Sequence, residues 1–357
     1  MKKNQFNNLK NSSIKKQVIK LIIILFLFSL EFIDYLYLSL LKIPIKLLKK
    51  LINLENNDIL RQYINEQIDF CNNPQKYFNK EIEDNLELTD INFRNISFRM
   101  YTLSNNEKKK CSIKKNHLFE EKESINMLEA LKFYSKVKRI SYNKDIYILD
   151  IGGNVGWYPS LFGLFNYSIL TFEPKKQNYY TSRKNFCYLN RESNIIIITK
   201  GISIAEKICD YYDDSTSINN GMVLCNNNLS NSLSTRFKKI GEVSLTRLSN
   251  FIPYLSNKNL ALIKIDVEGS EGDVINSGID LITKYSIPFI FIEFTPSFLV
   301  EHNTDPKKFL EFFVDNGYKI SINGFLSKNF ISAEELIKMT KFQINTYFIH
   351  QSVIIYY

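Results

Sequence analysis

Asp150-Ile-Gly-Gly-Asn-Val-Gly156 follows the apolar run Ile146-Tyr-Ile-Leu149 and leads directly into Trp157-Tyr-Pro-Ser-Leu-Phe162. A short apolar run, clustered glycines and a second apolar stretch read as a strand, a tight turn and a helix. Gly152 and Gly156 let the backbone approach a ligand and adopt conformations closed to residues with a Cβ, and Asn154 can cap a helix starting near Val155. In open α/β sheets such a turn lies where ligands bind, outside the carboxyl ends of the strands.

The pattern spreads outward from this turn. Ser168–Phe172, Asn194–Thr199, Leu260–Ile265 and Pro288–Glu293 read as further strands, several apolar throughout, as a parallel sheet covered on both faces requires. Val155–Phe165, Lys175–Leu189 and Glu271–Tyr285 suit crossover helices. The tail adds a helix over Pro306–Asp315 and strands at Tyr318–Ile322 and Thr346–Gln351. The expected fold is α/β, a doubly wound, mostly parallel sheet.

Two more segments give the turn its chemistry. A dinucleotide site calls for Gly-x-Gly-x-x-Gly, but counting from Gly152 puts Asn154 and Trp157 at the second and third glycines, so a pyrophosphate fits badly. An adenosyl sulfonium has no phosphate to cradle, and its cationic amino-acid half suits a nearby Asp150. The strand ending Thr171-Phe-Glu-Pro174 places Glu173 where an acid accepts hydrogen bonds from ribose hydroxyls. The plainer readings are a structural glycine turn and an ordinary strand-end carboxylate. Further on, Lys264-Ile-Asp-Val-Glu-Gly-Ser-Glu271 crowds polar groups onto the same sheet edge. Alternation puts Lys264, Asp266 and Glu268 on one side, so a salt bridge competes there with a role as base or binding group.

Together these segments resemble the FkbM-type methyltransferases, whose members carry a similar glycine loop, a Phe-Glu-Pro strand end and a Lys-Ile-Asp-Val-Glu-Gly block in this order. Here they are 150–156, 172–174 and 264–269. Asn178, Asn185, Leu189-Asn190, Asn219-Asn-Gly221, Leu245–Leu248 and Ile292-Glu-Phe-Thr-Pro296 extend the similarity over about residues 141 to 322. The resemblance implies a seven-stranded Rossmann-like class I sheet with a reversed last hairpin, S-adenosylmethionine as cofactor, and O-methylation of sugar, glycan or small-metabolite hydroxyls. The expected cofactor residues are Asp150, Gly152, Gly153, Asn154, Gly156 and Glu173. Because methyl transfer from a sulfonium needs chiefly positioning and one base, Asp266 is the first candidate, Glu268 the second, and Glu293 and His302 follow. No metal is expected, although Asp266 and Glu268 could hold a divalent cation. The rival readings are a membrane-tethered binding protein without activity and a nicotinamide-dependent oxidoreductase.

The formal charge of +9 is uneven. Ten lysines against Glu31 and Asp34 give residues 1–50 a charge of +8 and leave +1 for the rest. A near-neutral body offers no basic stripe, so no nucleic-acid partner is expected. The lysines flank an apolar stretch whose uncharged run, Leu21–Leu30, spans about 15 Å as a helix, half a bilayer core. A hydrophobic helix over 18–41 is expected, as an anchor or an interfacial helix, making the chain membrane-associated; a helix packed on the domain is the alternative. The lysine distribution slightly favours a cytoplasmic N-terminus. The organisation reads as a basic membrane-seeking segment (1–50), a helical and loop region (51–140) and a methyltransferase domain (141–357). The middle region carries Asn- and Lys-rich loops such as Asn105–Lys115 and a helix from about Glu120 to Lys138, whose acids Glu120, Glu121 and Glu123 read as solvated rather than catalytic. Five scattered cysteines without Cys-x-x-Cys spacing argue against structural zinc and a disulfide framework.

Overall fold

The computed structural model describes residues 45–104, 120–215, 221–225, 235–340 and 342–357, with side chains from residue 59 onward. The chain divides into two units, Met1–Glu55 and Asn56–Tyr357. The expected hydrophobic helix at 18–41 lies outside the described residues, as do the Asn105–Lys115 loop and Asn219-Asn220. Among the described residues no helix is long and apolar enough to cross a membrane. In the first unit only the start of helix α1 (Ile45–Asn72) is described.

In the second unit, β3 (Ile146–Ile151), β4 (Ser168–Phe172), β5 (Ile195–Ile198), β10 (Asn259–Ile265), β11 (Phe289–Phe294), β12 (Tyr318–Ser321) and β13 (Ile344–His350) form one sheet in the order β12-β13-β11-β10-β3-β4-β5. The strands from β11 to β5 pair in parallel. β13 returns between β11 and β12, antiparallel to both. This is the doubly wound sheet with a reversed last hairpin.

The apolar strands need cover on both faces, and two cores provide it. α2 (Glu121–Lys138), α3 (Trp157–Leu164) and α4 (Lys176–Tyr188) place Leu131, Leu161 and Phe186 against Ile148, Ile169, Ile197 and Phe291. On the opposite face α5 (Glu271–Ser277), α6 (Ile279–Thr283), α7 (Pro306–Asp315) and α8 (Ala333–Met339) cover Ile151, Phe172, Ile265 and Ile292. α7 shows how local sequence and packing agree. Asp305 caps it by accepting from the Lys307 and Lys308 amides, Pro306 occupies the first turn, and Phe309, Leu310 and Phe313 face inward. Phe313 meets Phe348 of β13 with ring centroids 4.1 Å apart.

The strand order turns at β3. Its successors β4 and β5 lie on one side and β10 and β11 on the other, which opens a crevice at the carboxyl ends of β3 and β10. A four-stranded sheet, β6 (Gly201–Ile202), β7 (Lys207–Asp214), β8 (Gly221–Leu224) and β9 (Phe237–Thr246), is inserted before β10 in the order β6-β9-β7-β8. The antiparallel pair β1 (Leu86–Phe93) and β2 (Ile96–Leu103) precedes α2, and its Ile91, Phe93 and Met100 join the α2–α4 core.

Several expectations need correction. The helix anticipated over Glu271–Tyr285 is two, broken at Gly278, where a Cβ would lie 2.5 Å from Leu248 Cδ2. Asn154 does not cap α3; that position is Gly156, at φ +84°, with no side-chain cap bond. Disulfides do form, joining Cys71 to Cys187 and Cys209 to Cys225. They close loops of 116 and 16 residues, and such cross-links stabilise by about 5 and about 3 kcal/mol respectively in the chain-entropy account. The first pairing escapes a spacing argument because its helices lie far apart in sequence, and the second because it depends on the pairing of β7 with β8.

Candidate functional site

The turn after β3 is fixed from both neighbouring strands. The Gly152 and Gly153 amides both donate to the Phe172 carbonyl of β4, at 3.0 and 2.9 Å, and the Gly156 amide donates to Gly153 O. On the β10 side, Lys264 Nζ donates to Gly152 O at 2.7 Å. Gly152 sits at φ +88°, and a Cβ there would lie 1.8 Å from the Asp266 carbonyl oxygen, so only glycine fits. From α4, Ser182 Oγ donates to Asn154 O, and Asn185 Nδ2 donates to Val155 O and to Tyr101 O of β2.

Strand register explains the support beneath. Lys264, Asp150 and Thr171 are direct neighbours across β10, β3 and β4. Asp150 Oδ2 accepts from Thr171 Oγ1 at 2.7 Å, and Asp150 Oδ1 lies 3.6 Å from Lys264 Nζ. Asp150 is only 1% exposed. It stands under the turn and does not line the cavity, and neither do Gly153 and Gly156. Burial pulls the Lys264 ammonium down, but Asp266, Asp150 and Glu120 outweigh it and hold it above the usual lysine range.

Gly152, Asn154, Glu173, Asp266 and Glu268 border one cavity of about 280 Å³. Glu173 forms its floor at the end of β4. One carboxylate oxygen accepts from the Asn154 amide at 2.8 Å and the other from the Lys175 amide at 2.9 Å. Burial pushes this carboxyl up to about 7 against the pull of those two amides. Asn178, also on the cavity wall, has a buried Oδ1 with no hydrogen-bond partner. The inserted sheet supplies the opposite wall through Tyr211, Val223 and Cys225, residues that carry no recognisable motif. Lys175 ties that wall to α4 by pairing with Asp213 at 2.7 Å and lying 5.5 Å from the Tyr211 ring centre.

The rim is crowded with acids. Oxygen atoms of Asp266, Glu268 and Glu293 lie within 4.8 Å of one another, close enough to share a cation. Asp266 pairs with Lys264 at 3.2 Å. Burial, reinforced by Asp266 and Glu271, pushes Glu268 up to about 8. Burial with Asp266, Glu268 and Glu120 nearby pushes Glu293 up to about 11. Glu120, expected in solvent, instead takes a hydrogen bond from Tyr158 and is pushed up to about 7, by burial first and then by Asp266. Glu123 also leaves solvent to accept from Asn345 at 2.9 Å. His302 has its Nδ1 2.9 Å from Phe298 O and its Nε2 3.0 Å from Val223 O, so both ring nitrogens are directed at backbone carbonyls.

Residues 150–320 match the family model described as "Methyltransferase FkbM domain". This segment is an FkbM-type methyltransferase domain. A curated relative, "Methyltransferase 1" of Beauveria bassiana (strain ARSEF 2860), is 30% identical over 152 residues, covering 38% of this chain and 59% of that protein. The chain thus spans under two thirds of that relative's length. Among solved structures, a protein of the NADB-Rossmann superfamily from Streptococcus agalactiae is 14% identical, covering 61% of this chain and 68% of its own, with a TM-score of 0.29. A putative tRNA (m1A22) methyltransferase from Streptococcus pneumoniae, solved with S-adenosyl-L-methionine, is 11% identical, covering 62% and 72%, with a TM-score of 0.30. The FkbM-type domain ends at β12, so α2 with Glu120 at its start, and β13 with its Asn345, are additions from outside the matched segment.

Proposed function

We propose that the chain is an S-adenosylmethionine-dependent methyltransferase acting on a hydroxyl oxygen of a sugar, glycan or small metabolite. One observation carries the cofactor assignment. The amides of Gly152, Gly153, Asn154 and Gly156 are all consumed by protein acceptors, and the floor beside them is a buried carboxylate. A dinucleotide pyrophosphate would need those amides free and would face Glu173. A nucleoside without phosphate needs neither; its ribose hydroxyls would donate to Glu173, and Asn178 Oδ1 offers an acceptor for a further donor.

S-adenosylmethionine supplies a methyl group on a sulfonium whose departure leaves a neutral thioether. The protein's share of the work is to hold the acceptor oxygen and take its proton. Glu268 suits that task better than Asp266. Asp266 is held by Lys264, whereas Glu268 borders the cavity with a carboxyl near 8, matched to operating pH. Asp266 then positions, with Lys264 joining it to the Gly152 carbonyl. The hydroxyl acceptor rests on the FkbM resemblance and on this proton-accepting rim. Membrane association through residues 18–41 would bring the domain to acceptors at a membrane surface.

The test is calorimetry of the full chain with S-adenosylmethionine, followed by labelled cofactor and fractionated cell extract. Micromolar binding and label in a glycan or metabolite fraction are expected. Absence of binding would end the methyltransferase reading. Activity lost to a chelator and restored by Mg²⁺ would move deprotonation onto a cation held by Asp266, Glu268 and Glu293.

A further inference from the structure

All four cysteines among the described residues are paired, and neither pair has the setting of a catalytic thiol. Cys71 lies at the end of α1 and Cys187 in α4, with Cα atoms 5.3 Å apart. The buried Gln67 amide lies 3.4 Å from Cys71 Sγ and 3.5 Å from Cys187 Sγ, and Phe70, Ile82 and Tyr180 pack beside the bond. Cys209 of β7 and Cys225 after β8 are 4.7 Å apart, in a small core with Tyr211, Val243 and Leu245. Neither pair has the Cys-x-x-Cys spacing of a redox motif, and the acidic cluster on the rim contains no cysteine. Both bonds therefore brace the fold. The first fastens α1 to the sheet's helical layer, and the second fixes a strand end that lines the cavity.

Structural disulfides persist where the surroundings are oxidising, and reducing thiol pools keep such pairs open. We infer that the domain operates in an oxidising, extracytoplasmic compartment, with both bonds formed. The N-terminal sequence agrees independently. Five lysines precede residues 18–41, Lys20 lies near the start of that stretch, and four follow before residue 51, so the positive-inside tendency slightly favours a cytoplasmic N-terminus. A single span there would deliver everything after residue 41 to the opposite side. The disulfides and the lysines share no residues, and both favour an extracytoplasmic domain.

The test uses the full chain in its own cells. A membrane-permeant alkylating agent traps free thiols before lysis, and non-reducing peptide mapping follows. Cys71–Cys187 and Cys209–Cys225 peptides should be recovered cross-linked, with under a tenth of each cysteine alkylated. In sealed vesicles, residues 56–357 should resist added protease until detergent is present. Four alkylated cysteines in a chain that binds S-adenosylmethionine would overturn the inference, as would digestion without detergent. Cofactor binding is scored separately on the same material, so a failure of the methyltransferase reading would leave this result standing.

Discussion

The floor and the rim of the cavity are built on opposite principles. On the floor, between Gly152 and Glu173, the polar groups of the turn are met from within the protein: Phe172, Lys264, Ser182 and Asn185 engage its backbone, and two amides hold the Glu173 carboxylate. On the rim, Asp266 pairs with the buried Lys264, and Glu120, Glu268 and Glu293 crowd around it. A satisfied network holds a shape before any ligand arrives, whereas crowded carboxylates hold protons until a partner changes their charge. Under the proposed function, binding falls to the floor and proton transfer to the rim.

The strongest way to break the floor is at Gly152. In Gly152→Ala the new methyl would meet the Asp266 carbonyl at a positive φ, so the turn has to move. Destabilisation by about 2–4 kcal/mol is expected from such a backbone conflict. Calorimetry should find no cofactor binding, and chemical denaturation should show the lower midpoint.

The rim's matching test is Glu268→Gln. Loss of a general base lowers turnover by about 10²- to 10⁴-fold. Cofactor affinity should change less than threefold, because the residue does not belong to the floor. Glu173→Ala reverses the pattern. Removing a carboxylate that accepts two ribose donors costs about 1.5–3 kcal/mol, or about 10- to 100-fold in cofactor affinity. Equal effects of both variants on affinity would erase the distinction between the two regions.

Titration gives a subtler contrast. Glu120 and Glu173 sit near 7 and Glu268 near 8, all above the ordinary carboxylate value of 4.5. The folded state therefore binds these protons more tightly than the unfolded chain. Their contribution to stability is complete below about pH 4.5 and lost as pH rises through 7 to 8. Without ligand, Tm should fall between pH 6 and pH 9. Cofactor affinity should move the other way, because ribose hydroxyls donate best to an ionised Glu173. Binding should then release a proton near neutral pH, visible as a buffer-dependent heat.

The same contrast explains what could be read from the sequence. The floor was legible because its chemistry is local: glycines, a Phe-Glu-Pro strand end and a six-residue block lie at the tips of apolar strands whose limits the structure places within two residues. The rim was legible only in part. Asp266 and Glu268 sit in that block, but Glu120 begins a helix outside the matched domain, and only the fold brings Tyr158 to it. Tyr211 and the inserted sheet were missed because β7, Lys-Ile-Cys-Asp-Tyr-Tyr-Asp-Asp, is polar and half-exposed and lacks the apolar run that marks the central strands. Disulfide partners separated by 116 residues leave no local trace at all.

Glu293 offers the smallest and most diagnostic change. Burial and three neighbouring acids hold its carboxyl near 11, so it carries a proton at neutral pH and donates where a carboxylate could only accept. Glutamine has the same shape and no charge, so Glu293→Gln replaces one neutral group by another. Stability should move by no more than about 0.5 kcal/mol, and turnover should stay within about twofold. Glu293→Asp keeps the acid but withdraws it from Asp266, and it serves as the control for lost packing. A metal-bound rim gives a different result, because a cation would require Glu293 ionised and the amide would then remove a ligand. A large loss of turnover in Glu293→Gln, with Glu293→Asp partly active and responsive to added Mg²⁺, would make the rim a cation site rather than a proton acceptor.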